Sequence, residues 1–566
     1  MSEFDEVRDW VVVGSGAGSM CSALLMRSLG KSVVILEKSS LVGGTTARSG
    51  GVMWIPNNPF MKRDGVEDSP EQALTYLEHA VGGQEDAPAA TLARRQTYVA
   101  QAPRMLEFLI DQGVRFNRVA YWPDYYDELP GGSVRGRTVV AEPFNINELG
   151  TWKDRLRPGF LPYPATMDEA MTMPYVRCSP LARKNLAKIA GRAIKNTILR
   201  RKVVSAGMAL QGRMLQASLK AGVEVRPESP VSELIVDGQA VKGVVTVKDG
   251  RPWRIGARLG VLMNAGGFTH NQRMRDQYQP GTSSAWSAAS PEDTGEMHEE
   301  MMRHGFAMAQ MEEMVGYPTT IPPGSENDFI KPGVQRITGA PHAILVDQSG
   351  IRYMNEGGSY MAYCKGMLER NKVVPAVPSW AVVDSQYLER YQLAGKSAKP
   401  RLFDQWHAAG YLKRGETLEE LAADMKVDPA TLRNTVDRFN GFVANGRDED
   451  FKRGERAYDR WCGEFVTEPQ RTLGTLEKGP FYAIPVYPGD VSTFGGVVTD
   501  ECARVLKEDG SLMEGLYATG VSTASMMGRI YPGAGASIGP GFVWGWVAAR
   551  HAAGLDASPA EDGAHS

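Results

Sequence analysis

The run Gly14-Ser15-Gly16-Ala17-Gly18-Ser19 restricts what this chain can fold into more than any other stretch. It follows Trp10-Val11-Val12-Val13, a short continuous apolar run of the kind a parallel strand buried on both faces requires. Met20 to Leu29 comes next, rich in helix formers and stopped by Gly30. Gly14 supplies a tight turn, and Gly16 leaves the backbone bare where a pyrophosphate must approach closely. The start of the predicted helix would aim free N–H groups and its positive dipole end at those phosphates. A second strand, Ser32 to Leu36, ends on Glu37, 23 residues beyond Gly14, where a ribose hydroxyl partner belongs. Ser19 departs from the usual Gly or Ala at the sixth position. Strand, turn, helix and acid together predict a dinucleotide-binding α/β unit rather than a strand-turn-helix without ligand.

Gly43-Gly44-Thr45-Thr46-Ala47-Arg48-Ser49-Gly50-Gly51 follows the acid-tipped strand and is too glycine-rich for a stable helix, so a loop is predicted. Its N–H groups and hydroxyls suit an extended cofactor. With Glu37-Lys38 before it and Trp54-Ile55-Pro56-Asn57-Asn58 after it, this stretch resembles the 3-ketosteroid dehydrogenases of the fumarate reductase flavoprotein superfamily. The resemblance recurs at Ala265-Gly266-Gly267-Phe268, at Asn355-Glu356 and from Leu516 to Gly541, and is weakest between about Gly150 and Ser205. It implies FAD as cofactor and an α/β fold: a Rossmann-like FAD-binding domain with an inserted α+β catalytic domain. The implied FAD contacts are Gly14, Ser15, Gly16, Ala17, Gly18, Glu37, Lys38, Gly44, Thr45, Thr46, Ser49, Gly50, Gly51, Ala265, Gly266, Gly520, Ser537 and Ile538.

A chain of 566 residues exceeds the typical single domain, so two domains with large cores are expected. A change of texture near Thr319, to Pro322-Pro323-Gly324 and Pro332-Gly333, marks a boundary. The expected division is a first FAD-binding part over 1–320, a catalytic domain over 321–486, a second FAD-binding part over 487–556 and a disordered tail over 557–566. A net charge of −3 argues against a nucleic-acid binder. Five scattered cysteines give no disulfide framework and fit a reducing cytoplasm; dispersed histidines suggest no metal site. Met1 to Arg8 carries no secretory signal, and no apolar run is long enough to span a bilayer.

Helices are predicted over Pro70 to Val81 and Thr91 to Gln112, the latter broken at Pro103. Tyr121-Trp122-Pro123-Asp124-Tyr125-Tyr126 opens an irregular segment too aromatic for a solvated loop. Between Ala170 and Val223 there is no acidic residue but many Lys and Arg. Within it Leu186, Ile189, Ala193, Thr197 and Ile198 share a helical face. Residues 180–202 therefore either make a peripheral membrane contact or pack as an ordinary amphipathic helix. Thr417 with Glu420, and Asp428 before Pro429, read as helix starts.

The resemblance implies site roles as well. Tyr125 matches the supporting tyrosine of the steroid dehydrogenases, with Tyr121 and Tyr126 as competitors. Tyr360, a short step after Asn355-Glu356, matches the active-site tyrosine, with Tyr363 as competitor. Tyr531 and Gly535, in Tyr531-Pro532-Gly533-Ala534-Gly535, match the grip on the steroid ketone; Ala534 stands where proline is common. The implied reaction is 1,2-dehydrogenation of a 3-ketosteroid substrate, with an external electron acceptor such as a quinone. A 3-ketosteroid 4(5α)-dehydrogenase and a non-catalytic steroid-binding flavoprotein are the alternatives. A fumarate-type reductase would need cations facing a dicarboxylate, where the candidate residues are tyrosines and glycines.

Overall fold

The computed structural model describes residues 4–82, 87–328, 330–467 and 469–555. The expected disordered tail, 557–566, lies outside these residues. At the centre of an eight-stranded sheet runs Glu6–Val13, parallel to Val33–Leu36 on one side and to Arg251–Met263 on the other. Trp10 to Val13 are buried on both faces, which is why this segment reads as an unbroken apolar run. Arg251–Met263 pairs in parallel with Leu512–Ala518, so the C-terminal part of the chain returns to the sheet. Registers Val13 to Leu36, Val13 to Met263 and Met263 to Ala518 bring four strand ends side by side. Ligands of open α/β sheets bind at such carboxyl ends.

A second, five-stranded sheet joins Met314–Thr319, Ala343–Val346, Ser379–Val383, Lys413–Gly415 and Phe481–Thr493. It reaches before residue 321 and beyond residue 486, because Met314–Thr319, wholly before 321, pairs with Phe481–Thr493, which runs past 486. Helices that include Leu418–Met425 and Pro429–Asn445 cover it. Thr417 and Asp428 cap these helices, accepting from the N–H groups of Glu420 and Thr431. Glu420 turns its carboxylate to the N–H of Glu416 rather than back to Thr417, so only half of a capping box forms.

Three local expectations are corrected. Leu92–Asp111 is one helix through Pro103; burial of Tyr98, Val99, Ala102, Met105, Leu106 and Leu109 outweighs the roughly 3 kcal/mol a helical proline costs. Gly44–Arg48 forms a short helix, since Gly43 and Gly44 at φ +109° and +51° only start it. The last helix, Ile538–Ala552, includes the first glycines and proline that read as loop; Pro540 sits in its first turn, where no N–H is needed.

That helix crosses Ala17–Ser28 at backbone contact. A Cβ on Gly18 would lie 2.1 Å from the Gly541 carbonyl oxygen, and one on Gly545 would lie 2.4 Å from the Gly18 oxygen. Gly18→Ala should therefore cost about 1–3 kcal/mol by overpacking, read as a lowered midpoint in urea unfolding of the flavin-free protein. An unchanged midpoint would show that the helices can separate freely.

Candidate active site

The four strand ends open onto one cleft with about 1240 Å³ of space, its mouth included. Gly14, Ser15, Gly16, Ala17, Glu37, Lys38, Gly44, Thr45, Thr46, Ser49, Ala265, Gly266, Gly520, Ser537 and Ile538 all line it. Gly18, Gly50 and Gly51 do not, contrary to expectation. Gly18 serves the helix contact above, Gly51 at φ +62° presses on the Gly207 backbone, and Gly50 faces the Met167 side chain.

The lining fits a dinucleotide. Gly14 at φ +88° packs so tightly that a Cβ would meet the Asn264 carbonyl oxygen at 2.2 Å, whereas a Cβ on Gly16 would meet only Asn264 Nδ2, at 3.5 Å. Space is thus left over Gly16 where a pyrophosphate needs it. Glu37 has a second duty: Oε2 accepts from the Ser15 N–H at 3.1 Å and the Ser15 hydroxyl at 2.5 Å, and Oε1 from the Ser39 N–H. Burial pushes its pKa up, and those hydrogen bonds oppose the shift. The acid therefore ties the glycine turn to the second strand while presenting remaining lone pairs to a ribose. Lys38 reaches Thr294 and Glu296 across the rim.

Several lining residues carried no signal in their spacing. Arg157, paired with Glu292 at 3.0 Å, brings positive charge to the cleft. Asp293 is buried beneath Gly266, and burial pushes its carboxyl up to about 7. Ser19, the departure in the fingerprint, is buried and shares a hydrogen bond with the Asn264 amide, which explains why a small polar residue is accepted there.

Beside the Ser537 end of the cleft, three tyrosines from distant segments converge. Ring centroids are 5.3 Å apart for Tyr125 and Tyr360, 5.2 Å for Tyr360 and Tyr531, and 5.9 Å for Tyr125 and Tyr531. The competitors lie elsewhere. Tyr121 is exposed, Tyr126 packs under Arg456, and Tyr363 is buried with its hydroxyl on Thr338. Tyr125 is held from behind: its N–H donates to the Pro532 carbonyl at 2.9 Å, and Tyr76 donates to the same oxygen. Neighbouring Asp124 is buried, accepting from Trp54 Nε1 at 2.7 Å and Arg137 at 2.8 Å, while Arg137 also grips Asp68. Asn355 and Glu356 are structural: Asn355 donates to Asp459, and Glu356 pairs with Arg352, fixing the turn from which the Tyr360 helix starts.

The Tyr531 hydroxyl contacts Ser537 Oγ at 3.0 Å. Burial raises its pKa, while Ser537, Tyr360 and the N–H groups of Ser537 and Gly535 counter the rise. The N–H groups of Gly535 and Ser537 thus lie close enough to the Tyr531 hydroxyl to act on it. Tyr360 has no such help: burial, then Tyr125 and Tyr531, raise its pKa well above that of free tyrosine. Tyr125 Oη has no hydrogen-bond partner among the described residues, although Tyr360 and Tyr458 lie close enough to shift its pKa. Leaving it so costs about 1–3 kcal/mol. Tyr458, unanticipated from sequence, stacks 4.1 Å from Tyr125 and accepts from Gln335.

A methyl group on Gly16 should leave the fold intact and obstruct the cofactor. Gly16→Ala should unfold at the wild-type midpoint in flavin-free form yet retain FAD at least about tenfold more weakly; equal retention would place the pyrophosphate elsewhere.

Comparison with known proteins agrees with this geometry. A family described as "FAD binding domain" matches residues 9–538. A 3-oxosteroid 1-dehydrogenase of Mycolicibacterium smegmatis is 36% identical over 558 residues, 96% of each chain. A 4-oxocyclohexanecarboxylate 2-dehydrogenase of Sinomonas cyclohexanicum is 35% identical over 98% of this chain and 94% of its own. The crystal structure of 3-ketosteroid delta1-dehydrogenase from Sterolibacterium denitrificans in complex with 1,4-androstadiene-3,17-dione superposes with a TM-score of 0.90. It shares 33% identity over 97% of this chain and 100% of that one.

Proposed function

Since the chain belongs to the FAD-binding domain family and is an FAD-dependent oxidoreductase, we propose that it converts 3-oxo-4-ene steroids into 3-oxo-1,4-dienes in steroid catabolism. The convergence of Tyr125, Tyr360 and Tyr531 beside the FAD cleft carries this reading. The Tyr531 hydroxyl and the Gly535 N–H donate to the C3 oxygen, which acidifies the neighbouring C2–H by stabilising enolate character. Tyr360 removes the C2 proton. Tyr125, rigidly backed by Asp124 and Pro532, aligns the Tyr360 hydroxyl. FAD, held by the residues of the cleft, supplies the acceptor for the C1 hydride. An external acceptor such as a quinone then removes the electrons.

A phenol is a base only as phenolate. With the Tyr360 pKa raised, most of the enzyme near neutrality carries the inactive, protonated form. Turnover should therefore climb with pH, approaching tenfold per unit, without a plateau below about pH 10. Tyr360→Phe should abolish turnover while FAD and steroid remain bound, and Tyr531→Phe should lower kcat on the order of 10²-fold. A pH-independent rate, or an active Tyr360→Phe enzyme, would assign the base elsewhere. A 5α-saturated substrate oxidised at C4–C5 would favour the 4(5α)-dehydrogenase alternative, and binding without flavin bleaching would favour a non-catalytic flavoprotein.

A second reading concerns where the enzyme works. All five cysteines are free, which fits a cytoplasmic protein. Among the described residues no helix is long and apolar enough to cross a membrane. Helix Pro180–Ile198 buries only Ala182, Asn185 and Ile189, leaving Ile194 63% and Ile198 74% exposed on the opposite face near Arg183, Lys184 and Lys195. The shared apolar face predicted for Leu186, Ile189 and Ile198 is thus divided, with Ile189 turned inward and the other two outward. Exposed isoleucines among cations suit the interface of an anionic bilayer. Liposome flotation should require anionic lipid and weaken with salt; failure to float even at low salt would make this an ordinary solvated helix.

A further inference from the structure

Tyr360 and Tyr531 come from different parts of the fold, and each hydroxyl has to be free to meet substrate. The 5.2 Å between their rings must therefore be held by other groups. Glu313 holds a cation from each part. This residue stands immediately before strand Met314–Thr319 and is buried. Lys365 Nζ donates to its Oε1 at 2.9 Å and lies 2.8 Å from Oε2. Lys365 belongs to helix Tyr360–Asn371, about 7.5 Å along the axis from Tyr360. From the other side Arg529, in the segment that leads into Tyr531, donates from Nη1 to Glu313 Oε1 at 2.9 Å. Lys365 also donates to the Arg529 carbonyl at 2.9 Å, which closes the network.

The network stands on a fixed base. The Glu313 carbonyl accepts from the Phe494 N–H and from Gln279 Nε2, both at 2.9 Å, and the Phe494 ring lies 5.8 Å from that of Tyr531. The helix that carries Tyr360 and Lys365 rests on the same strand, since a Cβ on Gly316 would lie 2.6 Å from Cys364 Cβ. Gln310 adds a second link, donating to the Gly528 carbonyl at 2.7 Å, and Arg529 pairs with Glu312 as well. Strand, helix and loop thus meet at one buried carboxylate. Its loss has a definite sign. Without it the half-buried Lys365 and Arg529 would face each other as like charges that water cannot fully screen, and repulsion would separate their two elements.

Resting on the dehydrogenation proposed above, we infer that Glu313 is a positioning residue of that reaction: through Lys365 and Arg529 it sets the distance between the base, Tyr360, and the ketone donor, Tyr531. It acts through those two residues and not on the substrate itself. The C2 proton is acidic only while the neighbouring ketone oxygen is held, so the two phenols must stay in register with adjacent atoms of one ring. A misplacement of about 1 Å costs on the order of 10²-fold in rate.

The test uses FAD-loaded enzyme mixed anaerobically with 4-androstene-3,17-dione, and reads steroid affinity and the limiting rate of flavin bleaching separately. Glu313→Gln should slow bleaching at least about tenfold while steroid affinity changes by less than about threefold. Lys365→Met should slow it about threefold; its side chain is 41% exposed, so this variant decides the matter if Glu313→Gln does not fold. Coupling to the ketone donor separates positioning from general damage to the fold. Tyr531→Phe, expected to cost about 10²-fold in wild type, should cost several-fold less when added to either variant, because the hydroxyl it removes is already out of place. Bleaching at the wild-type rate in Lys365→Met, or the full cost of Tyr531→Phe persisting in either variant, overturns the role of Glu313 and leaves the dehydrogenation standing. A wild type that bleaches no flavin with any 3-ketosteroid overturns the dehydrogenation itself.

Discussion

Helices Ala17–Ser28 and Ile538–Ala552 can touch backbone to backbone only because Gly18, Gly541 and Gly545 carry no side chains. That contact sets the spacing between two loops more than 500 residues apart in the chain, Gly14–Ser19 at the phosphate end of the cleft and Tyr531–Ser537 at its other end. Separating the helices by the width of a methyl group would shift Ser537 and Ile538 relative to Gly16 and Ala17. The cofactor cleft is therefore not a property of the first strand and helix alone. It exists because the end of the chain closes against its beginning.

A second constraint, electrostatic rather than steric, fixes the phenols. Asp124 is buried with Arg137, which is itself held by Asp68, and removing Arg137 would strand both carboxylates in a medium that cannot solvate them. Trp54 and Tyr76 complete the network and connect it to the Asp124 carboxylate and the Pro532 carbonyl. Tyr125 and Tyr531 are thus tied together through the Pro532 carbonyl, which accepts from both the Tyr125 N–H and Tyr76. Tyr360 comes from the other sheet region, on a helix start anchored by the Glu356–Arg352 pair. The three phenols therefore meet where the FAD-binding part and the second sheet region come together.

What could be read from sequence divides along the same physical line. Strand Trp10–Val13, the glycine turn and the helix Pro70–Val81 were legible because burial on two faces, backbone freedom and capping are local in their consequences. Asp428-Pro429 announced its helix for the same reason. Continuity through Pro103 was not legible, since the packing that outweighs the proline comes from residues distant in sequence. Nor were Arg157, Asp293 and Tyr458, which have no recurring spacing with the residues they join. The glycines misled in a particular way: Gly18 and Gly51 do sit at close approaches, but to protein backbone, and Gly50 makes only ordinary contact with Met167 and Val52.

The charge distribution around the catalytic pocket then follows from what each end has to recognise. At the Tyr531 end the groups that counter the rise in the Tyr531 pKa, Ser537, Tyr360 and the Gly535 and Ser537 N–H groups, are all neutral, which would suit an oxygen that is uncharged at rest and becomes anionic only as the C2 proton departs. A permanent cation there would bind a carboxylate ground state and favour the enolate less selectively. Neutral donors at the reacting carbonyl let the stabilisation grow as the enolate forms, without tightening the ground-state grip on the ketone.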